Sequence, residues 1–266
     1  MNPRTAILFA LVLTMAPAYA QDNAARLRVF AALPNWSGLW ETKLSAASDN
    51  LSGFGAEAGT PPAEVIAKNF QLSAKPPYKP EWEQQHRTAA GNSAPSSTVN
   101  VPKLCGNVAF PAVLEVPAMF QILVTPEETV FLDEFGDARY VYTDGRKHPK
   151  KQDLWPTAKG DSIGHWEGAT LVIATIETKP GAILPLPGAA QLSEEAHFTE
   201  RVRLVDPNIM QDDLTIDDPL RFSHPWQVSI QWKRVRDQDR MLPYDCAEND
   251  RNPVVDGKVT IAPPKP

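Results

Sequence analysis

The chain has 266 residues, of which 42% are hydrophobic and 22% charged, and its formal net charge is −6. That acidic balance excludes the concentrated positive face that nucleic acid or an anionic membrane surface requires. With two cysteines and no apolar run approaching about 18 residues, neither a disulfide-dense scaffold nor a transmembrane segment is expected.

Residues 1–20 read as a signal peptide. Arg4 supplies the positive start, Ala6 to Met15 is a short apolar run, and Ala18-Tyr19-Ala20 is a small-x-small cleavage site. The mature chain then begins near Gln21, loses Arg4, carries a net charge of −7, and belongs in the periplasm or outside the cell. In such a compartment Cys105 and Cys246 are expected to form one disulfide, two unpaired buried thiols being the alternative. No CxxC or HxxxH spacing accompanies them, so a metal site is not expected, and with neither a GxGxxG nor a Walker loop in the chain no cofactor is expected.

Residues 21–250 read as a single β-barrel domain and 251–266 as a disordered, Pro-rich tail. Within 21–116 the pattern is largely irregular. One strand is expected at 39–44, a helix at 62–70 behind Thr60, and a helix at 81–90 behind Pro80. This proline-rich part is expected to cover one end of the barrel. Strands then follow at 120–125, 129–135, 138–144, 162–166, 170–176, 197–205, 214–217 and 226–236. A Gly/Pro-rich loop at 178–195 is long enough to be a lid or binding loop. The last strand alternates Trp226, Val228, Ile230 and Trp232 with Gln227, Ser229, Gln231 and Lys233, giving one dry face and one wet face. The expected fold is mainly β, an antiparallel up-and-down barrel of about eight strands whose interior holds one small ligand.

Gly38-Leu39-Trp40 resembles the Gly-x-Trp signature of lipocalin and calycin barrels, in which the Trp closes the floor beneath an arginine of the final strand. Arg234 sits in the apolar phase of the last strand, so a cation–π pair of Trp40 with Arg234 is expected. Other segments resemble an uncharacterised family of secreted bacterial proteins: 142–149 (YTDGRKHP), 160–168 (GDSIGHWEG), 197–201 and 215–219, over roughly 105–248. That hairpin usually continues Gly-Asp in the family, where this chain has Ala169. The resemblance implies a shared fold and site but no reaction.

These segments concentrate the titratable groups. Glu200 shares a phase with Phe198, Val202 and Leu204 and is expected to point inward, ion-paired with an arginine such as Arg146 or Arg234, or raised in pKa as an acid–base group. A one-residue slip would instead turn His197 and Arg201 inward. His165 reads as a rim hydrogen-bonder, and His148 as a loop residue beside a turn built on Asp144. Asp212, Asp213, Asp217 and Asp218 read as a solvated strand end.

The leading functional expectation is a barrel binding a small, largely apolar or aromatic molecule among Phe120, Ile122, Val124, Trp226, Ile230 and Trp232, with Tyr142, Trp166 and Phe198 as further contacts. The alternative is a cofactor-independent lyase, hydratase or isomerase with Glu200, His197, His165 or His148 moving protons and Arg146 or Arg201 stabilising an anion. The sequence leaves the oligomeric state open.

Overall fold

Period-two alternation runs through the strands of one sheet that closes on itself. The computed structural model describes residues 16–43, 71–73, 76–84, 108–115, 118–182 and 190–241, with short paired segments at Val254–Val255 and Lys258–Val259. Cys105, Cys246, the expected helix at 62–70, most of that at 81–90 and most of the tail lie outside the described residues.

Helix α1 (Ala16–Ala32) precedes the sheet and runs through the expected cleavage site. No helix among the described residues is long and apolar enough to cross a membrane. The strands are β1 (Leu39–Thr42), β2 (Met119–Val124), β3 (Glu128–Asp133), β4 (Ala138–Tyr142), β5 (Asp161–Glu167) and β6 (Thr170–Ile176), then β7 (Gly181–Ala182), β8 (Gln191–Leu192), β9 (His197–Asp206), β10 (Ile209–Asp217) and β11 (Trp226–Val235). Nine of them close a barrel in the order β1-β11-β10-β9-β6-β5-β4-β3-β2, and β7 pairs with β8 inside the long loop.

The expectation of an antiparallel barrel of about eight strands is close to what is found and is corrected in two respects. The barrel has nine strands, and β4 pairs with β5 in parallel, over only Val141↔Ser162 and Tyr142↔Ile163. The cause is the connection at 143–160, which carries the chain back to the end of the barrel from which β4 started. A parallel pair needs such a crossover, whereas an antiparallel one needs only a turn. Gly164 serves this seam: a Cβ there would lie 2.9 Å from Val141 Cγ1 and from the Val172 carbonyl oxygen.

Side chains close both ends. At the lower end Trp40 is fully buried and donates from Nε1 to the Trp36 carbonyl at 2.9 Å, Trp36 packs on Trp166 at 5.1 Å, and the Arg234 guanidinium lies 4.2 Å from the Trp40 ring. Arg234 also donates to the Ser37 carbonyl. Gly38 has φ +102°, and a Cβ on it would meet Arg234 Nη1 at 3.0 Å, so glycine both makes the turn and clears the arginine.

At the upper end the segment 108–115 enters the barrel mouth. Phe110 meets Phe198 edge-on at 4.9 Å, and its N–H donates to the Ala158 carbonyl at 2.7 Å. Trp232 Nε1 donates to the Leu114 carbonyl at 2.8 Å. Buried Glu115 anchors the segment by accepting the backbone N–H groups of Gln71 and Leu72 at 2.6 and 2.7 Å. The 108–115 segment therefore covers this end of the barrel.

Candidate functional site

Burial fixes the phase of every long strand. Phe198, Glu200 and Val202 are buried while His197, Thr199 and Arg201 face solvent, so the slipped register of β9 is excluded. The interior thus receives Glu200 from β9, Asp212 from β10, Arg139 from β4, Ser162 from β5 and Thr175 from β6, each at most 3% exposed. Arg139 Nη1 donates to Glu200 Oε1 at 2.9 Å and Nη2 donates to Oε2, a two-pronged pair reaching across the lumen. Nη2 also donates to Thr175 Oγ1 at 2.7 Å and Nε to Ser162 Oγ at 3.2 Å, while the guanidinium covers the Phe110 ring at 4.1 Å.

Asp212 completes the centre from the other side. Burial first, then the neighbouring Glu200 carboxylate, pushes its carboxyl well above the usual carboxylate range. Among the described residues neither of its oxygens accepts from a donor, and its polar neighbour is the Glu200 carboxylate. The buried centre thus sets a carboxyl with a raised pKa beside the Arg139–Glu200 pair.

Between this centre and the plug lies a recess lined by Leu114, Phe120, Phe131, Trp232, Arg139 and Lys159. Phe120 and Trp232 meet edge-on at 5.1 Å, with Phe131 6.4 Å from Trp232. Lys159 donates from Nζ to the Val108 carbonyl at 2.9 Å and to Asp133 at 3.1 Å. With the plug seated the cavity measures about 30 Å³, room for about one water.

The sequence-predicted residues separate into three groups. Glu200, Phe198, Trp226 and Trp232 face the interior, as do Trp166 at the lower end and the Ile122 and Ile230 side chains. His197 lies on the face of β9 opposite Glu200, and His165 is exposed beside Glu167 at 3.2 Å, so the expected Glu/His pair does not assemble on β9. Arg201 also binds Glu167 outside the barrel, at 2.8 Å. Tyr142, Arg146 and His148 gather outside β4. Arg146 stacks on Tyr142 at 4.0 Å and binds Asp144, whose carboxyl it lowers to about 2, while His148 Nδ1 lies 2.5 Å from Asp161.

Two expectations are corrected here. The partner of Glu200 is Arg139, not Arg146 or Arg234, which are held by Asp144 and by Trp40 with Ser37. The alternation Arg139-Tyr140-Val141 already placed this arginine in phase with an apolar neighbour, and that was the available signal. The acidic cluster is not a solvated end. β10 begins at Ile209, Asp212 is wholly buried in the lumen, and buried Asp218 accepts from the Ser193 amide and hydroxyl at 2.7 Å each.

Fold and interior together define a closed, mixed β-barrel with a buried ionic centre and a plugged mouth. Comparison with protein-family models, curated proteins and solved structures finds no match to this chain.

Proposed function

We propose that this is an exported small-molecule-binding barrel that takes a largely apolar, aromatic ligand at its upper end, in the place now filled by the 108–115 plug. The observation carrying this reading is the aromatic recess of Phe120, Phe131 and Trp232 beneath a roof made by one short segment. A ligand larger than a water enters by displacing Phe110 and Leu114, replacing their contacts with its own. Arg139 and Lys159 at the recess favour a ligand whose aromatic body carries an acceptor or anionic group. A buried ion pair is weak support for stability alone, since well-packed apolar residues often serve as well. Its retention beside a recess is more economically read as part of a site.

The leader at 1–20 and the Cys105–Cys246 disulfide belong to the same proposal and suit an oxidising compartment. The test is native mass spectrometry of the protein recovered from its own host, with titration of 8-anilinonaphthalene-1-sulfonate, an aromatic anion, followed by fluorescence. A retained small molecule, or saturable one-to-one dye binding that Phe131→Ala weakens, supports the reading. An empty protein that binds no dye saturably overturns it.

A further inference from the structure

A cleft beside β4 and β5 opens on the outside of the barrel, bordering the plugged recess at Lys159. β4 and β5 stay in register for only two residue pairs, so above Val141 and Ser162 they diverge. The space between them, about 300 Å³, is lined by Tyr140, Tyr142, Asp137, Thr157, Lys159 and Asp161. This is where the two segments 142–149 and 160–168 meet.

Three features of its wall narrow what it can hold. Tyr140 and Tyr142 alternate with inward Arg139 and Val141, so both rings stand on the outer face, Tyr140 half exposed. Their hydroxyls make no hydrogen bond among the described residues. Each carboxylate already faces a nitrogen donor, Asp161 with His148 at 2.5 Å and Asp137 with Lys159 at 3.4 Å, yet each keeps lone pairs to accept from a ligand. The cleft therefore offers aromatic faces beside carboxylate acceptors that are each already held by a nitrogen. Finally, Gly160 (φ +71°) brings the backbone in close: a Cβ there would lie 2.6 Å from the Ile176 carbonyl oxygen and 2.8 Å from Thr175 Cγ2.

We propose that this cleft is a second binding site, distinct from the aromatic recess although Lys159 borders both, for a neutral saccharide ring. The C–H face of a pyranose stacks on Tyr140, and its hydroxyls donate to Asp137 and Asp161 and exchange hydrogen bonds with the tyrosine hydroxyls. A volume of about 300 Å³ accommodates one ring with part of a second. Because Arg146 already covers one side of Tyr142, that tyrosine offers its hydroxyl and edge more than a stacking face.

The test is the fluorescently labelled mature protein on an array of bacterial, fungal and plant oligosaccharides, each hit quantified by calorimetry, with choline chloride titrated in parallel. The expected result is binding to at least one saccharide class, weakened about ten-fold or more by Tyr140→Ala and retained by Tyr140→Trp. Binding of 8-anilinonaphthalene-1-sulfonate by Tyr140→Ala should match the parent, which separates this site from the lumen and shows the variant folded. A silent array overturns the proposal. So does choline binding without saccharide binding, which would make the cleft a cation site, and so does saccharide binding indifferent to Tyr140→Ala.

Discussion

Replacing Arg139 by methionine tests whether one guanidinium holds the barrel interior together. The substitution keeps much of the side chain's length and removes the donors to Glu200, Thr175 and Ser162 and the contact with Phe110. The hydroxyls of Ser162 and Thr175 remain 2.9 Å apart and satisfy each other. Glu200 has no such recourse. Its side chain is 1% exposed, and the nearest group left is the acid of Asp212. Stripping one partner from a buried pair costs about 3–5 kcal/mol, because the remaining charge stays desolvated and unpaired. That is a large share of the roughly 5–15 kcal/mol by which a domain is stable. At about 2–4 °C per kcal/mol, the melting temperature should fall by roughly 6–20 °C. The assay is urea unfolding at pH 7 followed by tryptophan fluorescence, with the double variant Arg139→Met/Glu200→Leu alongside. The double variant should recover most of the loss, since it removes the orphaned charge. A single variant within about 1 kcal/mol of the parent, or a double variant no better than the single, refutes the account of Arg139 as the neutralising centre.

Asp212→Asn should flatten the pH dependence of stability. Burial and Glu200 raise the folded-state pKa of Asp212, so its contribution is fully present below the ordinary carboxylate pKa and is lost as the pH rises, by about 1.4 kcal/mol per pH unit. Urea midpoints measured from pH 4 to 8 should therefore fall more steeply for the parent, and parallel curves would contradict a protonated Asp212. Glu115 behaves alike in a defined window: burial, opposed by the Leu72 and Gln71 amides, lifts its carboxyl from 4.5 to about 7. Its contribution should fade between those values at the same slope, and Glu115→Gln should remove that fading, read as a difference in midpoint between pH 4.5 and 7.5. Arg234→Gln loses the stacking on Trp40 and should cost about 1–2 kcal/mol in thermal melting, an unchanged melt excluding the floor contact as a stabiliser. Gly160→Ala should destabilise by about 1–3 kcal/mol, since the added carbon meets backbone as well as side chains, and a neutral effect would show that the wall relaxes freely.

By itself the sequence determined what is periodic. Alternation in 226–236 set Trp232 inward, because successive side chains on a strand point to opposite faces, and in 197–205 it put Phe198 and Glu200 on one face, while burial in the folded barrel decided that this face, not that of His197 and Arg201, turns inward. Gly38-Leu39-Trp40 with an in-phase Arg234 likewise announced the closed floor, both residues being legible within their own strands. The tertiary structure decided what depends on partners. Which arginine neutralises Glu200 depends on which strand stands across the lumen, and neither phase nor spacing relates residues 139 and 200. The run from Asp212 to Asp218 looks solvated because charge usually marks the surface. Only closure of the barrel, with Glu200 and Arg139 opposite and Ser193 nearby, makes it affordable to bury two of those acids. The parallel seam of β4 and β5, and the cleft it opens, follow from where the 143–160 connection returns the chain, a fact of topology that a local pattern does not carry.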